Sequence, residues 1–377
     1  MQRWDSFQNQ LPTAAPTRLH RELQDIVSNV QIQSNLCVSH PDYKPLELPE
    51  SAVERFQQLP WELQLKYLSL QLRSFLYGIY YNGSLKAALA PDADATNWAL
   101  HQNLEHNTFL RVDLGFYKRL HESNSGKGYF SPDWQVLWHE SDSNLVVTKD
   151  DLTLYVDCDR YLQPTDQAAP VCDSIAIRMP RNLVQIGFYV AVGNAGPQGH
   201  HDIVRVYFNL SAEGAVALMG SLTQQLNAIA VPFSFKALYN PLDYGRYNCA
   251  VLCFKKTHYK TIWSVLKTIY AENQHHFQRQ VPLFTKWIAP GLAIAEEPDR
   301  KFADMESFGM NRCQIVANGL LEAWQQGDQS PEGRIASIFQ HFSLLGIKLQ
   351  RPYLNANSQD IYMTLVDYES HESCDEI

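Results

Sequence analysis

Short segments of alternating apolar and polar residues fill the middle of the chain, and they constrain its fold more than any other feature. Asp- and Gly-rich turns separate these segments, as is typical of antiparallel hairpins. Strands are predicted at 134–138, 145–148, 152–156, 174–179, 187–192, 203–210, 231–239 and 250–254. Segments with helical periodicity lie in other blocks of the chain, so helices do not alternate with single strands. The pattern therefore predicts an α+β fold with a mixed, largely antiparallel sheet flanked by helices, not a doubly wound parallel sheet.

Apolar stripes at helical spacing precede and follow the strand-rich block. One begins at Leu19, and a second begins at Leu65 behind a Pro60-Trp61-Glu62 start signal. Further helices are predicted from 94 or 96 to 104 and at 109–120, 212–226, 258–273, 313–325 and 333–345. We divide the chain into an N-terminal helical region (1–105), an α+β domain (106–357) and an acidic tail (358–377).

Charge and cysteine usage exclude several classes of protein. A net charge of −9 argues against general nucleic-acid binding, because a phosphate backbone selects basic surfaces. The chain shows neither an apolar signal core nor a stretch long enough to span a bilayer, so we expect a cytoplasmic protein without a membrane partner. A substrate of a needle-type secretion apparatus would show neither feature. The seven cysteines include no Cys-x-x-Cys pair, which indicates reduced thiols.

Common catalytic motifs are absent or broken. The 123–128 segment Ser-Asn-Ser-Gly-Lys-Gly lacks the first glycine of a P-loop and the Ser or Thr that should follow its lysine. Gly-x-Ser-x-Gly and His-Glu-x-x-His do not occur. Nucleotide hydrolysis, serine hydrolysis and zinc catalysis therefore have no local support, and no metal is expected.

Two predicted strands carry polar residues on one face. Alternation puts Arg205, Tyr207 and Asn209 on one side of the 203–210 strand, and Lys236 on the polar side of the 231–239 strand. If the two strands are neighbours with their apolar faces together, these four residues form one cationic face. The alternative is an ordinary solvated sheet face.

Further candidate residues lie outside these strands. Lys286 sits in an apolar segment, where an unpaired buried cation would be costly, so it either reaches solvent or meets an anion. Arg312 follows a Ser307-Phe-Gly turn at a predicted helix start, where backbone N–H groups favour anions. Three more candidates lie in Gly-containing loops: Lys127, Tyr129 and Arg246.

The order of several motifs resembles that of the HopA-type effector family. The motifs lie at 126–134, 204–210, 231–236, 282–293, 307–313 and 351–355, and the resemblance covers about 105–357. The family is named for a type III secreted effector of plant-pathogenic bacteria. It also includes stand-alone proteins encoded with peptide natural products, notably class V lanthipeptides and thioamitides.

The resemblance implies a phosphoserine/phosphothreonine lyase. In the biosynthetic members, a separate kinase-like protein phosphorylates a precursor peptide, and the lyase eliminates phosphate to leave dehydroalanine or dehydrobutyrine. No metal or organic cofactor is required. Residues 1–105 would then bind a leader peptide or the kinase-like partner. The alternative is a non-catalytic, effector-like protein of the same fold that binds a peptide or protein.

The resemblance also implies roles for individual residues. β-Elimination needs a base, donors to a developing enolate and cations on the leaving phosphate. Lys286 is the first choice for the base, with an exchange of roles between Lys286 and Lys236 left open. Tyr207 would protonate the leaving oxygen or steady the enolate. The phosphate would be held by Arg205, Lys236 and Arg312. The peptide would be contacted by Asn209, Lys127, Tyr129, Arg246 and Ser307. A lyase is expected to bring Lys286, Arg312, Arg205 and Lys236 within reach of one phosphate, whereas scattered cations would favour a binding protein.

Overall fold

The computed structural model describes residues 18–33, 37–47, 50–93, 112–141 and 143–366. The helix predicted to end at 104 and the last part of the acidic tail lie outside these residues.

The main structural element is a seven-stranded sheet in which every pairing is antiparallel. Its strands are β8 (Asn182–Gln185), β9 (Phe188–Val192), β10 (Ile203–Phe208), β11 (Phe233–Leu238), β12 (Ala250–Lys255), β13 (Lys286–Ala289) and β14 (Leu292–Glu296). Their spatial order is β13-β14-β10-β12-β11-β9-β8. The predicted α+β class is confirmed.

One face of this sheet packs against three helices. These are α4 (Leu114–Ser123), α6 (Ala212–Ala228) and α7 (Tyr259–Asn273). Helix α6 begins where the Ser211 side chain accepts a hydrogen bond from the Gly214 amide, which satisfies an otherwise unpaired donor. Val204, Val206 and Phe208 of β10 are fully buried against these helices, as their alternation predicts.

The other face packs against helices from both ends of the chain. The N-terminal elements are α1 (Arg18–Asn29), a small sheet of β1 (Gln31–Ile32), β2 (Val38–His40) and β3 (Tyr43–Leu46), then α2 (Glu50–Gln57) and α3 (Trp61–Leu76), which continues as a π-turn at Tyr77–Tyr81. The C-terminal elements are α8 (Phe308–Gln325) and α9 (Pro331–Leu344). Leu23 and Phe75 share one core with Phe308 and Ile338, so the N-terminal region packs directly onto the predicted α+β domain.

A smaller four-stranded sheet has its own core. Its strands are β4 (Tyr129–Ser141), β5 (Asn144–Lys149), β6 (Leu152–Asp157) and β7 (Ser174–Met179), in the order β6-β5-β4-β7, and the short helix α5 (Cys158–Tyr161) follows β6. Trp134 and Val147 lie at the centre of this core.

Residues 352–365, which we call the C-terminal strap, cross the β13–β14 end of the large sheet. The buried Glu296 carboxylate accepts hydrogen bonds from Ser358 Oγ (2.7 Å), the Tyr362 hydroxyl (2.8 Å) and the Asn355 amide (2.9 Å). The Leu365 amide donates to the Ile288 carbonyl of β13 at 2.9 Å. The first residues of the predicted acidic tail therefore pack against the sheet.

A candidate anion-binding groove

A groove of about 620 Å³ opens beside the edge strand β13. Its walls come mainly from α1, the 279–287 segment and the beginning of the strap. Positions 86, 247, 290 and 350 each add one residue. Five of its described lining residues are cationic and one is acidic: Arg18, Arg21, Lys86, Arg279 and Lys286, against Glu22. The aromatic rings of Tyr247, Trp287 and Tyr353 supply apolar wall. This lining suits an anionic ligand that also carries apolar groups.

Lys286, the first residue of β13, meets an anion from its own chain. Its Nζ donates to both carboxylate oxygens of Asp360, at 3.0 and 2.8 Å, and to the Tyr362 carbonyl at 2.6 Å. The Tyr353 hydroxyl donates to the same carboxylate at 2.7 Å. Burial alone would raise the pKa of Asp360, but the hydrogen bonds from Lys286 and Tyr353 bring it below its ordinary value. The carboxylate is therefore ionised at neutral pH.

Arg18 fixes α1 to the opposite wall of the groove. Its guanidinium donates to the Val281 carbonyl and, at 3.5 Å, to the Tyr80 carbonyl. It lies 5.3 Å from the centre of the Tyr247 ring and forms a 3.4 Å ion pair with Glu22. These contacts hold the cation in one place, so less freedom is lost when a ligand binds.

The polar residues of β10 and β11 occupy the opposite face of the sheet from Lys286. Tyr207 pairs with Val251 of β12, and Val251 pairs with Lys236 of β11. The two strands are therefore not neighbours, because β12 separates them, although Tyr207 and Lys236 do share a face. Lys286 pairs with Ile294, which pairs with Val206. Lys286 therefore lies on the face of the sheet that carries Val206, opposite to the face that carries Tyr207.

The shared face is buried at Tyr207 and only partly exposed at Arg205 and Lys236. Arg205 is ion-paired with Glu297, and the ring of Tyr207 packs edge-on against Tyr81. The Tyr207 side chain is 4% exposed, and burial raises the pKa of its phenol. Lys236 Nζ lies 4.5 Å from the centre of the Phe188 ring.

Arg312 is fully buried and bonded to backbone. Its Nε donates to the Pro352 carbonyl at 2.7 Å and its Nη2 to the Leu354 carbonyl at 3.2 Å. Burial lowers the pKa of Arg312 to about 10, so the guanidinium stays charged at neutral pH. Ser307 caps α8 by accepting a hydrogen bond from the Met310 amide. The structure therefore places Arg312 under the strap, and it does not bring Lys286, Arg312, Arg205 and Lys236 together.

The remaining predicted residues lie at different distances from the groove. Asn209 is 2% exposed; its Nδ2 donates to the carbonyl of Gln280, a groove residue, at 2.9 Å. Arg246 lies in the loop next to the lining residue Tyr247. Lys127 is exposed, and Tyr129 begins β4 of the small sheet. Lys127 and Tyr129 are not among the residues that line the groove.

Four of the five cations that line the groove could not be recognised from the sequence. Arg18 and Arg21 belong to the polar side of an amphipathic helix, and Lys86 and Arg279 lie in loops. Each carries the sequence signature of an ordinary surface cation. Only the fold brings these positions beside Lys286.

The described residues thus define an α+β protein with a cationic groove at the edge of an antiparallel sheet. Residues 179–354 match the HopA1 effector protein family, which confirms the resemblance that the motifs indicate. This segment contains β8 to β14 and Lys286, whereas Arg18, Arg21 and Lys86 lie outside it. None of the described helices has the length and apolar character to cross a membrane.

Two solved structures resemble this fold. They are effector proteins from Pseudomonas syringae pv. tomato strain DC3000 and Pseudomonas syringae pv. syringae strain 61, with TM-scores of 0.39 and 0.37. Each is 15% identical to this chain, and each match covers 64% of this chain and 80% of the effector chain. Curated proteins gave no match.

Proposed function

We propose that this protein binds a phosphorylated peptide in the cationic groove. The supporting observation is the lining of the groove, which contains five cationic side chains and one carboxylate and encloses about 620 Å³. Arg guanidinium groups bind phosphate through two oxygens at once, and Lys supplies a point charge. The volume accommodates a phosphorylated side chain with part of its backbone. On this proposal, a separate kinase-like protein adds the phosphate.

Elimination of the phosphate in the same groove is the second candidate. It is favoured by Lys286, the predicted base, which lines the groove with the phenols of Tyr353 and Tyr247. A neutral Lys286 would take the α-proton, the Cα–Cβ double bond would form, and the Cβ–O bond would break with its electron pair leaving on phosphate. The groove cations would stabilise that departing charge. Asp360 already holds the Lys286 Nζ at 2.8 Å, so Lys286 would have to leave this carboxylate before it could act as a base. Binding also draws on the four other groove cations, so it is the better supported function.

Calorimetry with a phosphothreonine peptide and its unphosphorylated form tests the binding proposal. Lys286→Met should weaken binding of the phosphopeptide roughly tenfold, since a hydrogen bond to a charged group contributes about 1.5–3 kcal/mol. Lys118→Met is the matched control, because Lys118 is exposed on α4, away from the groove. Equal affinity for the two peptides, or an equal loss in both variants, would contradict the proposal.

Mass spectrometry of the recovered peptide separates the two candidate functions. Loss of phosphoric acid with wild type, and none with Lys286→Met, would establish elimination with Lys286 as the base. Recovery of unchanged phosphopeptide together with tight binding would identify a binding protein. Wild-type turnover by Lys286→Met would remove Lys286 from the reaction.

A further inference from the structure

The C-terminal strap places a carboxylate on the cation that the groove offers to a ligand. Asp360 accepts from Lys286 through both oxygens, from the Tyr353 hydroxyl, and from the Tyr362 amide at 3.2 Å. Lys286 and Tyr353 both line the groove. Phosphate oxygens accept hydrogen bonds from the same kinds of donor.

The strap can release Asp360 without leaving the sheet. Ser358 and Tyr362 flank it, and both side chains are anchored on the Glu296 carboxylate, at 2.7 and 2.8 Å. Gln359 and Ile361, on either side of Asp360, are exposed. A change confined to these three residues would remove the carboxylate from Lys286, while the anchors on Glu296 and the bond from Lys286 to the Tyr362 carbonyl remain.

We propose that Asp360 is a built-in competitor for the groove: its carboxylate and the ligand's phosphate exclude each other at Lys286. The inference rests on the proposed function and adds regulation to it. The closed strap lowers the affinity for every anionic ligand that uses Lys286, because the ligand must first displace Asp360. A partner or modification that holds the strap away from Lys286 would raise the affinity.

Binding of a phosphothreonine peptide to Asp360→Asn tests the competition. The variant keeps the size of the side chain but loses its charge. We expect about tenfold tighter binding than wild type, equivalent to about 1.4 kcal/mol. Asp304→Asn is the matched control: it changes the net charge equally at an exposed residue of a different cleft. Its affinity should stay within a factor of about two of wild type, because salt screens distant surface charges.

The outcomes distinguish this inference from the proposed function. Tighter binding by Asp360→Asn alone supports competition. If wild type binds and Asp360→Asn binds equally or more weakly, the competition is overturned while the groove remains a binding site; weaker binding would show that Asp360 positions Lys286. If neither protein binds the phosphopeptide, both proposals fall.

Hydrogen exchange gives a second readout that does not depend on a variant. The Tyr362 amide donates to Asp360 in the closed strap. Saturating phosphopeptide should speed exchange at this amide, whereas the Leu365 amide, bonded to the Ile288 carbonyl, should stay protected. Unchanged exchange at Tyr362 in the saturated complex would overturn the displacement of Asp360.

Discussion

Replacing Arg312 with Met is expected to destabilise the fold strongly. The guanidinium is fully buried and donates to the carbonyls of Pro352 and Leu354. Methionine fills part of the volume but donates no hydrogen bond, so both carbonyls lose a donor in a buried site.

The size of the effect follows from those two carbonyls and from the buried Asn311 Oδ1, which accepts a hydrogen bond from Arg312 Nη1 at 2.5 Å. Each buried polar group left without a partner costs about 1–3 kcal/mol. Removing a desolvated charge returns part of that cost. We therefore expect a net loss of about 2–4 kcal/mol in the free energy of unfolding. Arg312→Lys should fall between wild type and Arg312→Met, because an ammonium group keeps the charge but lacks the planar fork that reaches both carbonyls.

Urea denaturation followed by tryptophan fluorescence measures this change, with linear extrapolation to water. Arg351→Met is the control, since Arg351 is an exposed arginine beside the strap. A free energy of unfolding within about 0.5 kcal/mol of wild type would refute the structural role of Arg312. If phosphopeptide binding were lost in that same stable variant, Arg312 would regain the phosphate-binding role that the resemblance implies.

Two further predictions concern the side of the sheet that carries Tyr207: the first tests an ion pair, and the second tests helix packing. Burial alone would raise the pKa of Glu297, but the charge of Arg205 brings it below its ordinary value. Its contribution to stability is therefore present above the ordinary pKa of a glutamate and is lost as the pH falls through the lower folded-state pKa. Glu297→Gln should flatten this acid-induced fall in the denaturation midpoint, and parallel pH profiles for the two proteins would contradict the assignment. Gly309→Ala would bring a methyl group within 2.3 Å of the Tyr81 ring, which should cost about 1–3 kcal/mol. Gly220→Ala meets its nearest atom only at 3.6 Å and should not reduce stability, so equal thermal midpoints for the two alanine variants would refute the packing argument.

The strands with clear alternation were predictable because their signal is local. The prediction of 174–179 matches β7, and 203–210 contains all of β10. Strand β14 was missed because all five of its residues are buried, which leaves no alternation to detect. Strand β8 was also missed, because it has only four residues and their burial does not alternate.

The order of the strands in the sheet was not predictable. The arrangement of the candidate residues depends on that order, so it was not predictable either. Alternation correctly placed Tyr207 and Lys236 on one face of the sheet, but nothing in either segment indicates that β12 inserts between their strands. Of the two alternatives for Lys286, solvent or an anion, the structure shows the second: its anion is Asp360, 74 residues further along the chain. Pairing over such a distance depends on the whole fold and leaves no local pattern.

The strap also affects when the β13–β14 end of the large sheet can close during synthesis. The carbonyl partners of Arg312 lie 40 and 42 residues beyond it, and the side-chain donors Ser358 and Tyr362 lie 62 and 66 residues beyond Glu296. A ribosome adds about 5–20 residues per second, so for several seconds Arg312 and Glu296 exist without these partners. Because burying Arg312 is costly until its carbonyl partners arrive, the nascent chain should keep the site beneath the strap hydrated. Synthesis of the strap would then allow this end of the sheet to close.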